Sequence, residues 1–515
     1  MNSQTIAKNS YWFGIETFAS LFLTFFTSIV VARSVGPAKL GYFLYLWWIA
    51  GVAGTIGSLG IPAATRKYIG EYFGRGQMGL VRTVFYSTLR IQVMTAALIT
   101  CAALLFVWLW GDRGYRTIAM LMVGSIFPYM VNSIAASANT ALEDLRANVP
   151  ASLSSTGIFV TAVFSSVWFG WGLLGIACGL LLMRSVELLV RLIPLIRRMS
   201  QHAPEPVDEA LERRMFLFSG QSLLLMVLGL IVWDRSEMIV LKNFCPDIRQ
   251  IAFYSVAFNI TERLLVVSQV FGTATGATMM AQYGRDRMRV RGLVATTLRY
   301  LALIAFPLHL GLAAVAGPAL WIVYGSKYSE ALPVLIIAAC LGIPKAFMLP
   351  VQALLSSWER QDLLIRWGLI SGVLNLTLDF ALIPRYGAVG AAIANGTAQT
   401  FSAVALWVVA LMLLQVRVPL RPLLKTFAIS SGMAITAYFA AVRLPAVPAV
   451  VVAVGVGSVV YGFLLRCSGV LNETDRERML GLVKYVPWQA RGGTQAALSW
   501  LMPSALAQPE PEISA

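Results

Sequence analysis

Runs of roughly 20 or more apolar residues recur along the whole of this 515-residue chain, each long enough to cross a hydrocarbon core of ~30 Å. Fourteen can be placed, at 10–32, 40–61, 84–110, 118–142, 150–169, 172–196, 215–241, 251–283, 294–316, 331–356, 363–383, 388–414, 423–442 and 447–465. Lipid offers no water to satisfy backbone N–H and C=O groups, so runs of this length and number point to helices that satisfy their own. The expected fold is an all-α membrane protein with about 14 transmembrane helices. Composition agrees: 58% of residues are hydrophobic and 12% charged, against ~25% charged in soluble domains. The eighth run is longer than a crossing requires and is expected to tilt or to continue into the cytoplasm. The first follows a single Lys8, is too long for a signal-peptide core and lacks a small-x-small cleavage site, so it is expected to be the first span.

The net charge of +16 raises nucleic-acid binding. That reading fails because the basic residues sit in short connections and form no basic domain or stripe. With the N-terminus inside, 24 Lys and Arg fall in cytoplasmic segments and 9 in outer ones. This bias favours both termini in the cytoplasm and an even number of spans. Cys101, Cys178, Cys245, Cys340 and Cys467 show no metal or disulfide spacing. The only histidines, His202 and His309, exclude a histidine-rich metal centre. No GxxxxGK[ST] motif, catalytic triad or metal-ligand cluster is apparent, so no catalytic residue, metal or cofactor is expected. A glycan enzyme embedded in the membrane usually carries a large external loop, and the longest outer connection here is short.

The two halves resemble each other in order. Tyr72-Phe-Gly-Arg-Gly-Gln-Met78 lies over Gln282-Tyr-Gly-Arg-Asp-Arg-Met288, and Ser87-Thr-Leu-Arg90 over Thr296-Thr-Leu-Arg299. Each half starts on the cytoplasmic side, so the repeat is parallel, with its axis along the membrane normal. The expected organisation is two pseudo-symmetric six-helix lobes plus two C-terminal helices. Residues 1–196 form the N-terminal lobe, 197–214 a cytoplasmic linker, 215–414 the C-terminal lobe, 415–467 the last two spans and 468–515 a cytoplasmic tail. Within the tail, Thr474-Asp-Arg-Glu477 has the pattern of a capping box and predicts a short surface helix.

Several segments together resemble a known family. Val31-Ala-Arg-Ser-Val-Gly-Pro-Ala-Lys-Leu-Gly-Tyr42, Gly57-Ser-Leu-Gly-Ile-Pro-Ala-Ala-Thr-Arg-Lys-Tyr68, Asp234-Arg235 with Phe253-Tyr-Ser-Val-Ala257, and Ile383-Pro-Arg-Tyr-Gly-Ala-Val-Gly-Ala-Ala-Ile-Ala394 follow one another at the spacing of bacterial polysaccharide flippases. That family, which moves O-antigen and exopolysaccharide units, belongs to the multidrug/oligosaccharidyl-lipid/polysaccharide exporter superfamily. The resemblance covers roughly residues 10–480. It implies a transporter in the bacterial inner membrane that carries an undecaprenyl-pyrophosphate-linked glycan to the periplasmic face by alternating access of two lobes. It also implies contact with membrane lipids, and a polysaccharide polymerase and a chain-length regulator as partners. Two alternatives stay open: a flippase for the peptidoglycan lipid precursor, and a cation-coupled drug exporter of the same superfamily.

Such a cargo needs cations for its phosphates. Seven basic residues fall within spans, where a mid-bilayer charge costs at least ~2.5–3.5 kcal/mol. Arg90 and Arg299 each follow a cytoplasmic arginine by eight residues, about 12 Å of helix. They are either a pair of phosphate contacts at the inner mouth or two snorkelling side chains. Arg263, Lys345 and Arg235 complete the candidate phosphate set, with Pro344 expected to loosen the helix beside Lys345. Arg184, Glu187 and Arg191 share one helix face and are expected to pair locally. Excess intramembrane Arg and Lys suits an anionic cargo. Glu16, Glu262 and Asp379 are candidates for ion coupling. Gly36, Gly41, Gly387 and Gly390 are expected at tight turns, helix starts or close approaches.

Overall fold

In the computed structural model the described residues are 22–502, apart from 145–147, 233, 284–286, 359, 415–417, 472 and 484–487. Residues 10–21 of the first run, Glu16 among them, lie outside that set, as does the end of the tail. The described chain folds into twenty α-helices and a short 3-10 turn, with no strand among the described residues. By contact it divides into two compact units, one of residues 1–255 with 372–391, the other of 256–371 with 392–515. These units differ in extent from the lobes expected from the sequence.

The first unit holds α1 (Phe22–Val35), α2 (Pro37–Gly57), α3 (Ile61–Gly74), α4 (Met78–Trp110), α5 (Arg116–Gly124), α6 (Ile126–Ala141), α7 (Asn148–Trp168), α8 (Gly172–Ser200), α9 (Glu209–Val232) and α10 (Glu237–Phe244). It also holds the first turns of α11 (Arg249–Tyr283) and the middle of α16 (Gln361–Leu414). Here α6 packs on α3, α4 and α8, and α7 packs along α8. Tyr68, Ile69, Phe85, Ile134 and Met199 are the buried centre of one core cluster. The large side chains left uncovered, Leu98, Trp110, Trp168 and Phe216 among them, form apolar surface that suits lipid and would be a liability in water. Hydroxyls in the spans donate to the carbonyl three or four residues back, as Thr65 does to Ile61 and Thr88 to Val84, so they need no water.

The second unit holds the rest of α11 and α16 with α12 (Arg287–Ala314), α13 (Ala316–Tyr324), α14 (Leu332–Ala346), α15 (Met348–Ser357), α17 (Leu420–Ala441), α18 (Ala446–Ser468), α19 (Glu473–Leu482) and α20 (Trp488–Leu501). The pair α17 and α18 packs together, and α12 packs on both α14 and α17.

In their described parts the fourteen apolar runs fall mainly on helix, and eleven of the described helices are long and apolar enough to cross a membrane. One of the eleven is the 53-residue stretch Gln361–Leu413, in which two expected spans join across a reversal at Gly387. Gly387 has φ 54° and ψ −129°, a conformation closed to residues with a Cβ. A Cβ there would also meet Gln250 Oε1 at 2.7 Å, and that oxygen accepts the Ala388 N–H at 3.0 Å. Gly41 serves close approach: a Cβ on it would run into the Ile248 carbonyl. Two differences from the sequence reading have clear causes. The basic connection 62–83 is mostly the amphipathic helix α3, which buries Tyr68 and Ile69. The linker 197–214 is mostly helix as well; its irregular part is tied to α4, with Thr83 donating to the Glu205 carbonyl at 2.6 Å and Arg82 to that of His202.

Candidate functional site: charges held inside the helices

The most buried charged groups in the first unit are two carboxyls, Glu237 and Asp379, neither with any exposed surface. Glu237 opens α10, directly after the break that ends α9. Asp379 lies on α16, one turn beyond Asn375. The Asn375 amide nitrogen joins them, 3.2 Å from Glu237 Oε1 and 3.3 Å from Asp379 Oδ2. It is also 3.3 Å from both Ser236 Oγ and the Ile231 carbonyl. An amide nitrogen carries two hydrogens, so it serves two of these four acceptors at a time. Tyr254 donates its hydroxyl to Glu237 Oε2 at 2.9 Å. Asp379 Oδ1 and Asn375 Oδ1 are buried with no hydrogen-bond partner among the described residues. The cluster thus places two carboxyls together and leaves one oxygen of Asp379 and the Asn375 carbonyl oxygen turned to no donor among those residues, the chemistry that suits a proton or a hard cation.

Of the residues singled out for ion coupling, Asp379 is thus in a built site. Glu262 is half-buried on α11 in the second unit, beside Arg263, and is not part of this cluster. Glu16 lies outside the described residues. Asn375, four residues before Asp379 on the same helix face, was legible as a partner from spacing alone. Glu237 and Tyr254 were not, since no periodicity links α10 or α11 to α16.

The expected phosphate-binding cations occupy different settings. Arg90 is exposed on α4. Arg299, its counterpart on α12, is held: its guanidinium donates to Asp475 Oδ2 at 2.6 Å and to the Val470 carbonyl at 3.0 Å. Tyr300 donates to the other oxygen of the same carboxyl at 2.7 Å. Asp475 belongs to α19, the helix expected at the capping-box motif. Lys345 is half-buried, with its ammonium 5.1 Å from the centre of the Phe258 ring. The helix breaks two residues on, at Phe347, where α14 gives way to α15 and the freed carbonyl accepts the Trp407 indole N–H at 3.1 Å. The helix runs through Pro344, and the break matches Pro350, which has no N–H for the Ala346 carbonyl four residues before it. Arg235 is half-buried in the break between α9 and α10, its backbone N–H on Asp234 Oδ1 at 2.8 Å. The local ladder on α8 is present: Glu187 bonds Arg191 at 3.1 Å and lies 3.7 Å from Arg184. Arg191 also bonds Asn132 at 2.9 Å, a partner from α6 that spacing could not reveal.

Two cavities open in the first unit. The larger, about 690 Å³, is lined mainly by apolar side chains, including Leu59, Ile61, Ile91, Phe216 and Leu223, with Arg213 at its wall. The smaller, about 260 Å³, is lined by Trp47, Trp48, Tyr129, Arg184 and Asp234 among others.

A chain of apolar helices that keeps paired carboxyls and several guanidinium groups inside is built as a polytopic membrane protein, in which such groups mark a functional site. Comparison with known proteins agrees. Among solved structures, a lipid II flippase in an inward closed conformation matches with a TM-score of 0.72 at 16% identity, over 88% of this chain and 97% of that one. An inward-facing multidrug resistance transporter of the multidrug and toxic compound extrusion family matches with a TM-score of 0.67 at 14% identity, over 77% and 94%. These likenesses define the fold. The profile of the polysaccharide biosynthesis protein family matches residues 30–333, more than half of the chain, and the chain belongs to that family. A probable low-salt glycan biosynthesis flippase of Haloferax volcanii is 22% identical over 402 residues, 76% of this chain and 80% of that protein. The succinoglycan biosynthesis transport protein of Rhizobium meliloti is 25% identical over 386 residues, 72% and 73% of the two chains. The resemblance read from the sequence is therefore borne out at the level of that polysaccharide biosynthesis family, and the relatives it matches are flippases and transport proteins.

Proposed function

We propose that this protein carries a polyprenyl-pyrophosphate-linked oligosaccharide from the cytoplasmic to the periplasmic face of the bacterial inner membrane, by alternating access of two lobes, with both termini cytoplasmic. The observation that carries this reading is the set of ionisable groups kept inside lipid-facing helices, for which a static membrane protein has no use. Arg90, Arg235, Arg263 and Lys345 supply positive charge for the pyrophosphate, and Arg299 joins them when Asp475 releases it. The apolar cavity beside α3, α4 and α9 supports a place for part of the lipid chain, since Ile91 lines it one residue from Arg90. Glu237, Asn375 and Asp379 exchange a proton or sodium ion that is coupled to the cycle. No step of this work makes or breaks a covalent bond, so the protein is a transporter and not an enzyme. The partners fitting this role are the lipid-linked glycan, the surrounding lipids, and a polymerase with its chain-length regulator on the far side.

The test is made in cells. Removing the gene should leave lipid-linked oligosaccharide, labelled by its sugar, on the cytoplasmic face and stop surface polysaccharide. Normal polysaccharide with no such accumulation would contradict the proposal.

A further inference from the structure

The cavity beside the middle of α2 has a wall chemistry that neither a lipid chain nor ion coupling requires. Trp47, Gly51 and Thr55 recur at four-residue spacing and so share one face of α2, and all three line it. Opposite stand Tyr129 and Arg184, and Asp234 closes another side. The Trp47 ring is fixed in place: Phe43 and Phe159 each meet it at nearly a right angle, with centres 5.5 and 5.7 Å away. Gly51 leaves open space, since a Cβ there would meet nothing within 4 Å. Gly54 makes room for Tyr129, whose ring carbon would lie 2.7 Å from a Cβ at that position.

Arg184 is the informative group. Its guanidinium lies over the Tyr129 ring at 4.8 Å. The nearest Glu187 oxygen, Oε2, is 3.7 Å away, beyond a hydrogen bond, while Arg191 bonds the other oxygen, Oε1. The donors of Arg184 therefore remain available to a ligand, with Asp234 as an acceptor across the same space. A volume of about 260 Å³ holds about nine waters at ~30 Å³ each. That is room for one ring, in less than half the volume of the apolar cavity.

A pyranose ring has apolar C–H faces and a rim of hydroxyls. It needs a flat aromatic surface beneath it and a donor and an acceptor at its edge, which is the arrangement here. We propose that this cavity is a subsite for a single pyranose ring of the glycan, packed against Trp47 and hydrogen-bonded by Arg184 and Asp234. This rests on the flippase reading and adds to it a sugar-recognition site separate from the phosphate contacts.

The test uses the full-length protein in lipid nanodiscs. Three probes are titrated: bare polyprenyl pyrophosphate, and the same lipid bearing one galactose or one N-acetylglucosamine. At least one sugar-bearing lipid should bind about tenfold tighter than the bare lipid. Trp47→Ala and Gly51→Leu, which fills the cavity and removes no packing, should abolish that preference and leave the affinity for bare lipid within about twofold. Trp47→Phe should retain most of it. If wild type binds neither kind of lipid, the flippase reading fails along with the inference. If it binds both equally, or if the variants weaken all probes alike or none, the subsite alone is overturned.

Discussion

Asn375 and Asp379 stand one helical turn apart on α16, and the Asn375 amide nitrogen lies 3.3 Å from Asp379 Oδ2 and 3.2 Å from Glu237 Oε1. One amide thus spans two fully buried carboxyls, while Asp379 Oδ1 has no hydrogen-bond partner among the described residues. The unpartnered Asp379 oxygen is where the proposed coupling proton or cation would bind. Asp379→Asn should therefore uncouple the protein. Transport driven by a pH or sodium gradient in proteoliposomes should fall at least about tenfold, with substrate affinity unchanged, because the loss falls on an ion and not on the cargo. Wild-type driven transport in this variant would remove Asp379 from the coupling site.

Arg299 and Asp475 form an ion pair, 2.6 Å long, between the tail and a span. Asp475 is 1% exposed and receives both Arg299 and Tyr300. Hydrogen bonds to charged groups contribute about 1.5–3 kcal/mol when partly buried. Asp475→Ala should release α19, read as faster proteolysis of the tail in inside-out vesicles and a melting temperature lowered by several degrees. Unchanged protection would show that α19 is held by other contacts.

Gly387→Ala places a Cβ at φ 54°, 2.7 Å from Gln250 Oε1. Strained backbone of this kind costs about 1–3 kcal/mol, and the shifted Gln250 also loses the Ala388 N–H. The variant should melt lower than wild type, and Gln250→Ala should account for only part of that loss. A melting temperature equal to wild type would mean that the reversal tolerates a side chain.

Much of the fold was readable from the chain alone. Apolar runs long enough to span lipid leave little choice but helix, and Gly387 marked where the longest of those helices is interrupted, while Pro344 lies inside a helix that continues past it. The amphipathic α3 was hidden because its polar face makes it look like a basic connection. The candidate site was legible only where partners share a helix. Asn375 and Asp379 are four residues apart, but Glu237 lies 138 residues before Asn375. Arg299 read as either a phosphate contact or a snorkelling side chain because its carboxylate comes from 176 residues away. Partners brought together by packing leave no trace in spacing.

Orientation was inferred from the excess of Lys and Arg in alternate connections. A reporter active only in the periplasm should be silent when fused after Arg214 and active when fused after Lys327. The reverse pattern would invert the direction of export proposed for the molecule.

The central claim is that the protein itself moves a lipid-linked oligosaccharide across the bilayer. It is tested by reconstituting the purified chain in proteoliposomes loaded with lipid-linked oligosaccharide on the cytoplasmic face, with the potential clamped by potassium and valinomycin. Each negative charge carried outward from a negative interior gains ~2.3 kcal/mol per 100 mV. Sugar should reach the far face, where a soluble glycosidase can cut it, and should arrive faster as the cytoplasmic side is made more negative. Arrival no faster than in protein-free liposomes, at every potential, would contradict the account.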